Sequence, residues 1–573
     1  MHFKNVYSLT PEGEFDEWIS PWDLRNGEMI YNISSMGQWY KVVFRYKGVL
    51  ITLKDSLKLL PFSVKQIGKS FGTKHKKLDM EYEGYRYAGC EITAKEREYI
   101  INDVLVVKEA LEMMFASGNT SLTIGGCCLK EYKEGIGKDD WQVFFPRLDH
   151  VLIDRTIYGA ETADEYIRRS YRGGWCYLVK GAENRVCHNG TTADVNSLYP
   201  SMMSSESGNY YPVGMPTFWS GNYIDEKATK FENRFFFIRI KTRFKIKPGK
   251  LPFIQVKGNY RYKATEMLET SDIRDKNGNY HSEWVDSKGE IHDTRITMTM
   301  TQTDYYLFLQ HYDVSDFEIL DGCWFYSTLG IFDDYIEKYK QQKIESTGAK
   351  RTEAKLFLNN LYGKMATSLN SSLKLAHIKD DGALGYDTVV QFKKDPVYIP
   401  CGSAITSYSR CFTITAAQKN FHGVDKPGFK YADTDSIHCD LPPDEIKGIA
   451  VHPVDFCCWK LESCWDVAKF VRQKTYMEHI THEDEQPIDN PYWNVKCAGM
   501  PQQCKDLFLY SMTGEIPEGA KLKPEWIEWV HEKKRTLDDF TIGLKVPGKL
   551  LPRNIKGGVL LVETEFTMKE VNV

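Results

Sequence analysis

Asp433 and Asp435 stand one residue apart in Lys430-Tyr-Ala-Asp-Thr434-Asp-Ser-Ile-His438, with Phe429 and Tyr431 before them and Ile437 after. Side chains at i and i+2 of an extended segment leave the same face. At the tight end of a hairpin, both carboxylates can therefore aim at one hard cation. A small, oxygen-only ligand set suits Mg²⁺, which keeps waters and completes its shell with substrate phosphates. The same spacing also describes a solvated turn in which each Asp bonds its own backbone. A third carboxylate, Asp194, lies in Thr191-Thr-Ala-Asp-Val195-Asn-Ser197-Leu-Tyr199-Pro200, at the end of a short strand and just before a helical run. Backbone N–H groups at such a turn can meet phosphates, and Tyr199 is placed to floor a sugar pocket.

Between these carboxylates, Arg351, Lys355, Asn359 and Tyr362 advance by helical steps as one polar stripe, and Ala354, Leu358, Leu361 and Met365 form the opposite, apolar one. A helix with that face, ending at Gly363-Lys364 and with Lys343 one basic step upstream, can serve as a triphosphate rail; the bland alternative is an exposed basic face. Further on, Arg472-Gln-Lys474-Thr-Tyr476 alternates as a strand, with Lys474 and Tyr476 on one side. Tyr171-Arg-Gly173-Gly174-Trp175 is basic, aromatic and punctuated by glycine, which lets backbone approach a ligand. Arg with aromatics suits a phosphate backbone. Thr93 and Glu96 make a capping box for a helix running to Phe115, and Tyr99 and Asp103 share a face of it.

These groups need elements to hold them. The chain has 573 residues, 42% hydrophobic and 27% charged, which fits a globular protein of about four domains. A net charge of −4 means that any polyanion must be met by a locally basic groove. The 14 cysteines include two adjacent pairs but no Cys-x-x-Cys, and are read as reduced thiols rather than a disulfide frame or zinc site. There is no apolar leader or membrane-length run, so the expectation is a soluble protein with no membrane partner. Residues 1–35 show no clear period. Tyr40–Tyr46, a Lys47-Gly48 turn and Val49–Leu53 predict a hairpin. Residues 206–330 are strand-rich, with turns at Asn277-Gly278 and Ser287-Lys288-Gly289. A helical part follows from Gly330, and the last ~75 residues mix short helices and strands before a C-terminal hairpin at Gly557-Gly558.

Carboxylates from two separated segments, a basic helix and a Lys-x-Tyr segment suit phosphoryl transfer, which needs in-line positioning and charge neutralisation. Two metal ions about 3.5–4 Å apart can activate a hydroxyl and stabilise leaving pyrophosphate. In chain order, DVNSLYPSMM, KLFLNNLYGKMA and KYADTDSIH resemble motifs A, B and C of family B DNA polymerases. YRGGW, RQKTY, KDPVYIP, VKCAGM and KGGVLLVETEFTMK resemble segments of the protein-primed, phage-type subgroup, and the resemblance runs from about Ser35 to the end.

The resemblance implies an α+β right hand: antiparallel palm, helical fingers and small thumb after a partial RNase H-like exonuclease domain. Its expected divisions are 1–170 (exonuclease-like), 171–205 (palm), 206–330 (first insertion, contacting a priming protein), 331–369 (fingers), 370–400 (second insertion, for processivity), 401–500 (palm) and 501–573 (thumb). The implied reaction is template-directed deoxynucleotidyl transfer in protein-primed replication of a phage or linear mobile element. Asp194, Asp433 and Asp435 would be catalytic. Asp194, Asp435 and the Val195 carbonyl would hold two Mg²⁺, for which Mn²⁺ can substitute, with Asp433 in a weaker metal role. Tyr199 would be the gate against a ribose 2′-OH, and Lys343, Arg351, Lys355, Asn359 and Tyr362 would meet the incoming nucleotide. Tyr171, Gly173, Gly174, Ser197, Gly363, Thr434, Lys474 and Tyr476 would contact DNA. Implied partners are template and primer DNA, dNTPs and a terminal protein, for a monomer in the cytoplasm of a bacterial host.

Two departures stand out. The first insertion is enlarged around Arg274–Asp293. Of the proofreading motifs, Tyr99 and Asp103 remain, and Ser56, Leu57, Lys77 and Tyr82 resemble supporting positions. No Asp-x-Glu precedes Met36, and Phe15-Asp16 sits in unmatched flanks. Loss of 3′–5′ proofreading is therefore expected, as in a shortened reading frame or half of a split gene. The competing reading is a non-catalytic remnant that binds DNA or terminal protein; a nuclease built on Asp103 fails on ligand count.

Overall fold

Lys47 and Gly48 both take positive φ (48° and 80°), as a two-residue hairpin loop whose twist matches its strands requires. In the computed structural model they join strands Trp39–Tyr46 and Val49–Lys54. The structure describes the chain apart from residues 1–2, 7–18, 35, 81–88, 257–265, 276, 278, 287, 370, 392–394 and 571–573. Phe15, Asp16, Tyr82, Gly278 and Ser287, on which expectations above fall, lie outside the described residues. The chain divides into two compact units: Met1–Gln142 with Asp334–Val397 and Pro552–Leu561, and Val143–Asp333 with Tyr398–Leu551 and Val562–Val573.

In the first unit the hairpin belongs to a four-stranded sheet with Glu28–Ile33 and Lys4–Asn5. The sequence of residues 1–35 suggested no such strand. Glu28-Met-Ile-Tyr-Asn-Ile33 buries Ile30, Tyr31 and Ile33, so side chains on both of its faces are covered and strict alternation is absent. Helix α1 (Ala94–Ala116) starts at Thr93, whose side chain and that of Glu96 cap each other reciprocally. Helix α2 (Gly348–Met365) buries Ala354, Leu358, Leu361 and Met365 and exposes Arg351, Lys355 and Asn359, so its two stripes separate as the helical period dictates. An antiparallel hairpin follows, Ser371–Ile378 with Leu384–Gln391.

The second unit is built on a seven-stranded sheet: β1 (Cys176–Leu178), β2 (Val186–Val195), β3 (Phe429–Asp433), β4 (Ser436–Cys439), β5 (Trp459–Arg472), β6 (Thr475–Glu483) and β7 (Gln486–Cys497), in the order β7-β6-β5-β2-β4-β3-β1. All its pairings are antiparallel. Helix α3 (Ile399–Asn420) packs against β3 and β4. Its buried Ser and Thr hydroxyls turn back to helix carbonyls, Thr406 to Gly402 at 3.2 Å and Ser409 to Ile405 at 2.8 Å, which removes the cost of burying them unpaired. Trp175, Tyr431, Trp459, Trp465 and Phe470 fill the core, each worth about 1.5–3 kcal/mol of burial or somewhat more.

A second sheet in this unit joins Tyr210–Ser220, Arg234–Ile246, Ile296–Thr301 and Tyr312–Leu329. Between its strands Arg234–Ile246 and Ile296–Thr301 lie two short hairpins, Ile273–Arg274 with Tyr280–His281 and Glu283–Val285 with Ile291–Asp293. Each is closed the same way, by His281 on Asp275 (2.9 Å) and His292 on Asp286 (3.0 Å). Helices Gln502–Thr513 and Pro524–Glu532 precede a final hairpin, Lys545–Ile555 with Gly558–Thr567.

Candidate active site

β3 and β4 are joined by Thr434 and Asp435 alone, with Thr434 at φ +66°. Asp433 and Asp435 therefore do not share a face through strand alternation, as the sequence suggested; the left-handed turn brings them together. The turn is held from three sides: Thr434 N–H donates to Trp175 O (2.8 Å), Asp435 N–H to Asp433 O (2.8 Å), and Thr413 Oγ1 to Thr434 O (2.9 Å). Asp194 enters from β2, where it faces Ser436 of β4 and Lys460 of β5. Val195 N–H donates to Asp435 O at 2.8 Å, tying the two carboxylate segments through backbone. Val195 itself is buried.

Asp194, Asp433, Thr434, Asp435, Lys474 and Tyr476 line one cavity of about 670 Å³. Lys474 was expected within a strand. Instead it occupies the turn between β5 and β6 at φ +57°, which frees its side chain to reach Asp433 Oδ1 at 2.5 Å while its N–H donates to Tyr431 Oη at 2.9 Å. Tyr476, two residues on, is buried at the cavity wall.

Burial pushes the Asp194 carboxyl up to about 8, with Asp435 and Glu462 adding repulsion. The Asp435 carboxyl is raised for the same first reason, with Asp433 and Glu462 adding to it. Clustered hard oxygen donors whose charge Lys474 and Lys460 offset only in part fit divalent cations, which would relieve both burdens. A cation bound at Asp194 would displace its proton. Below about pH 8, metal affinity should therefore fall by up to tenfold per pH unit, with about one proton released at pH 7. Calorimetry in two buffers of different ionisation enthalpy measures that proton. In metal-free protein the sign for folding is reversed. A carboxyl raised above its unfolded value favours the fold at low pH, and that contribution fades as pH climbs through about 8.

Sequence reasoning missed two neighbours. Glu462 lies at a β-bulge between Leu461 and Ser463, which breaks the alternation of β5 and turns it into the cavity. Arg410, buried in α3, donates to the carbonyls of Arg172 (2.5 Å) and Gly173 (2.9 Å) and pairs with Asp304 at 2.5 Å. A lone Arg among Ser, Thr and Ala was the available signal. The link it clamps runs against the turn: a Cβ on Gly174 would come within 2.5 Å of Thr434 Cγ2. Gly174→Ala should displace the Asp433–Asp435 turn and lower kcat roughly 10–100-fold, since misplacement near 1 Å costs about that, while CD stays native. Tyr171 is exposed at the head of the link, and Ser197 precedes the helix after β2 at φ +55°, with Tyr199 in its first turn.

In the first unit, Lys343, Arg351 and Lys355 come close together: Arg351 Nη1 donates to Lys343 O at 2.8 Å, and burial, then Lys355 and Arg351, hold the Lys343 amine below its usual range. Tyr362 is half-buried and Gly363 exposed in the last turn of α2. A second cluster lies on α1. Lys77 Nζ donates to Tyr99 Oη (2.5 Å) and Asp103 Oδ2 (2.7 Å), and Asp103 Oδ1 is buried with no hydrogen-bond partner among the described residues. Ser56 and Leu57 form a short 3₁₀ turn capped by Asp55.

The family model described as DNA polymerase type B, organellar and viral, matches residues 11–89 and 88–442. The chain is 34% identical over 553 residues to the DNA polymerases of Bacillus phages M2 and phi29, covering 94% of this chain and 84% of each relative. It is 30% identical over 566 residues to that of Streptococcus phage Cp-1, with 95% and 84% covered. The structure of Phi29 DNA polymerase with primer-template DNA and incoming nucleotide superposes with a TM-score of 0.76 at 32% identity, covering 96% of this chain and 87% of that one. No described helix is long and apolar enough to cross a membrane.

Proposed function

Because the chain belongs to the organellar and viral type B DNA polymerases, we propose that it extends a DNA primer at the cavity walled by Asp194, Asp433 and Asp435. The observation that carries this reading is the convergence of these carboxylates, from segments far apart in sequence, on one cavity beside Lys474 and Tyr476. Asp194, Asp435 and the carbonyl of Val195 would hold two Mg²⁺, or Mn²⁺ in their place. When bound, these ions supply activation of the primer 3′-hydroxyl and stabilisation of pyrophosphate. Asp433 orients Lys474, and Lys474 with Tyr476 and Thr434 grips the primer end. Tyr171, Gly173, Gly174, Ser197 and Gly363 meet the DNA strands.

Lys343, Arg351 and Lys355 receive the triphosphate, with Asn359 and Tyr362 along the same helix face; Arg351 adds a planar fork where a lysine would give a point charge. Tyr199 closes the sugar pocket. Partners are primer-template DNA, dNTPs and a terminal protein met by the first insertion, for a monomer working in the cytoplasm of a phage-infected bacterium. The second insertion, near 370–400, supports processivity.

Extension of a labelled primer with dNTPs and Mg²⁺, abolished by chelator, tests the reading; a soluble chain that binds primer-template without extending it would make it the non-catalytic remnant. Lys355→Ala should raise KM for dNTP about 10–100-fold, the worth of one charge-assisted contact, with primer affinity unchanged. Gel titration of dNTP and of primer separates the two.

A further inference from the structure

The cavity wall carries a buried group that the aspartates and Lys474 leave unexplained. Glu478 Oε1 meets His438 Nδ1 at 2.6 Å, with both side chains at most 2% exposed. Thr192 Oγ1 donates to the same oxygen at 3.1 Å, and Asn494 Nδ2 to Oε2 at 3.3 Å. The other ring nitrogen, His438 Nε2, lies 3.3 Å from Ser436 Oγ. Tyr431, Phe470 and Tyr476 cage the ring at 5.2, 5.6 and 5.0 Å between centroids. Thr192, Ser436, His438 and Glu478 line the same cavity as the aspartates, and Ser436 is the direct cross-strand partner of Asp194.

A buried carboxylate–imidazole pair gains little over an apolar pair of equal volume, because desolvation offsets the attraction. Another anion beside several aspartates is worse still for the fold alone. Geometry gives the pair a use. In either charge state of the imidazole, Nδ1–H faces Glu478 Oε1, with Thr192 Oγ1 also 3.0 Å from Nδ1, so Nε2 is left to Ser436. The aromatic cage leaves the ring one orientation, and Ser436 Oγ is held at a fixed point of the wall, across the ladder from Asp194.

We propose that Glu478, His438 and Ser436 form a positioning relay, in which Glu478 orients His438, His438 holds Ser436, and the Ser436 hydroxyl steadies Asp194 for nucleotidyl transfer. The inference rests on the active-site reading above. All three act through Asp194.

Single-turnover primer extension with the full chain tests it. Ser436→Ala and Glu478→Met should each lower the maximal rate about tenfold, leaving KM for dNTP within about twofold and, for Ser436→Ala, Tm unchanged. Glu478→Gln, whose amide oxygen still accepts from Nδ1, should recover most of the rate. The double variant His438→Leu/Glu478→Leu should fold and lose as much rate as Glu478→Met. Wild-type rates in Ser436→Ala and in the double variant would reduce the network to core packing and overturn the relay. So would losses that appear in KM alone. Asp435→Ala, run alongside, separates the readings. If it still extends, the active-site reading falls and the relay with it. If it is inactive while Ser436→Ala and the double variant match wild type, the relay alone falls.

Discussion

Asp435→Ala should abolish primer extension, lowering kcat by about 10³-fold, while the chain stays folded. Loss of a single preorganised electrostatic group costs about 10²–10³, and Asp435 would share with Asp194 the holding of the two metal ions. The same substitution removes a buried carboxylate that burial, Asp433 and Glu462 keep above its usual range. Without divalent cation, Tm should therefore rise or hold rather than fall, the opposite of what a core residue would do. Asp433→Ala should be milder in rate, because Asp433 spends its charge on Lys474, and should weaken primer binding more than nucleotide use. A stopped-time extension assay beside a thermal shift in chelator checks both. Extension by Asp435→Ala at the wild-type rate would sink the assignment.

On a primer with a 3′ mismatch, no trimming is expected, so extension stalls where a matched primer runs on. Metal-ion nuclease chemistry needs carboxylates enough for two cations. Asp103 is instead covered by Lys77, which donates to it and to Tyr99, and the Lys77 ammonium is held charged above its usual range by those bonds against the cost of burial. The predicted difference from a proofreading enzyme is of order 10²-fold or more in release of the mismatched nucleotide. Asp103→Ala should leave mismatch handling unchanged. Release of the mismatched nucleotide by wild type, lost in Asp103→Ala, would mean that further carboxylates complete the site.

The helix around Lys355 was legible before any coordinates, because a period of 3.6 survives in both of its stripes. The hairpin at Lys47-Gly48 was legible for the same kind of reason, a two-residue loop needing left-handed backbone. What carries the site was harder to see. Thr434 and Lys474 take positive φ where a β-branched or long residue rarely does, so period-two reading put Asp435 and Lys474 on strands. Glu462 hides behind a bulge, which inserts one residue and resets the alternation. The strand Glu28–Ile33 shows no alternation because adjacent residues on opposite faces, Ile30 and Tyr31, are both buried. Arg410 acts through the carbonyls of a distant link and through Asp304, contacts that no local pattern encodes.

The strand order of the sheet has a consequence for how the enzyme comes into being. β2, which bears Asp194, lies between β4 and β5, and both are made long after it. On the ribosome one edge waits until β4 is complete at Cys439, about 240 residues on, and the other until β5 ends at Arg472, about 280 residues on, which at about 5–20 residues per second is roughly 12–55 s. For that interval the nascent chain exposes a long ladder of unpaired amides and an apolar face, and its catalytic centre does not yet exist. Yield from slow translation, low temperature or added chaperone should therefore depend on shielding this one strand, and premature chains that stop before β5 should aggregate rather than persist as partly active fragments.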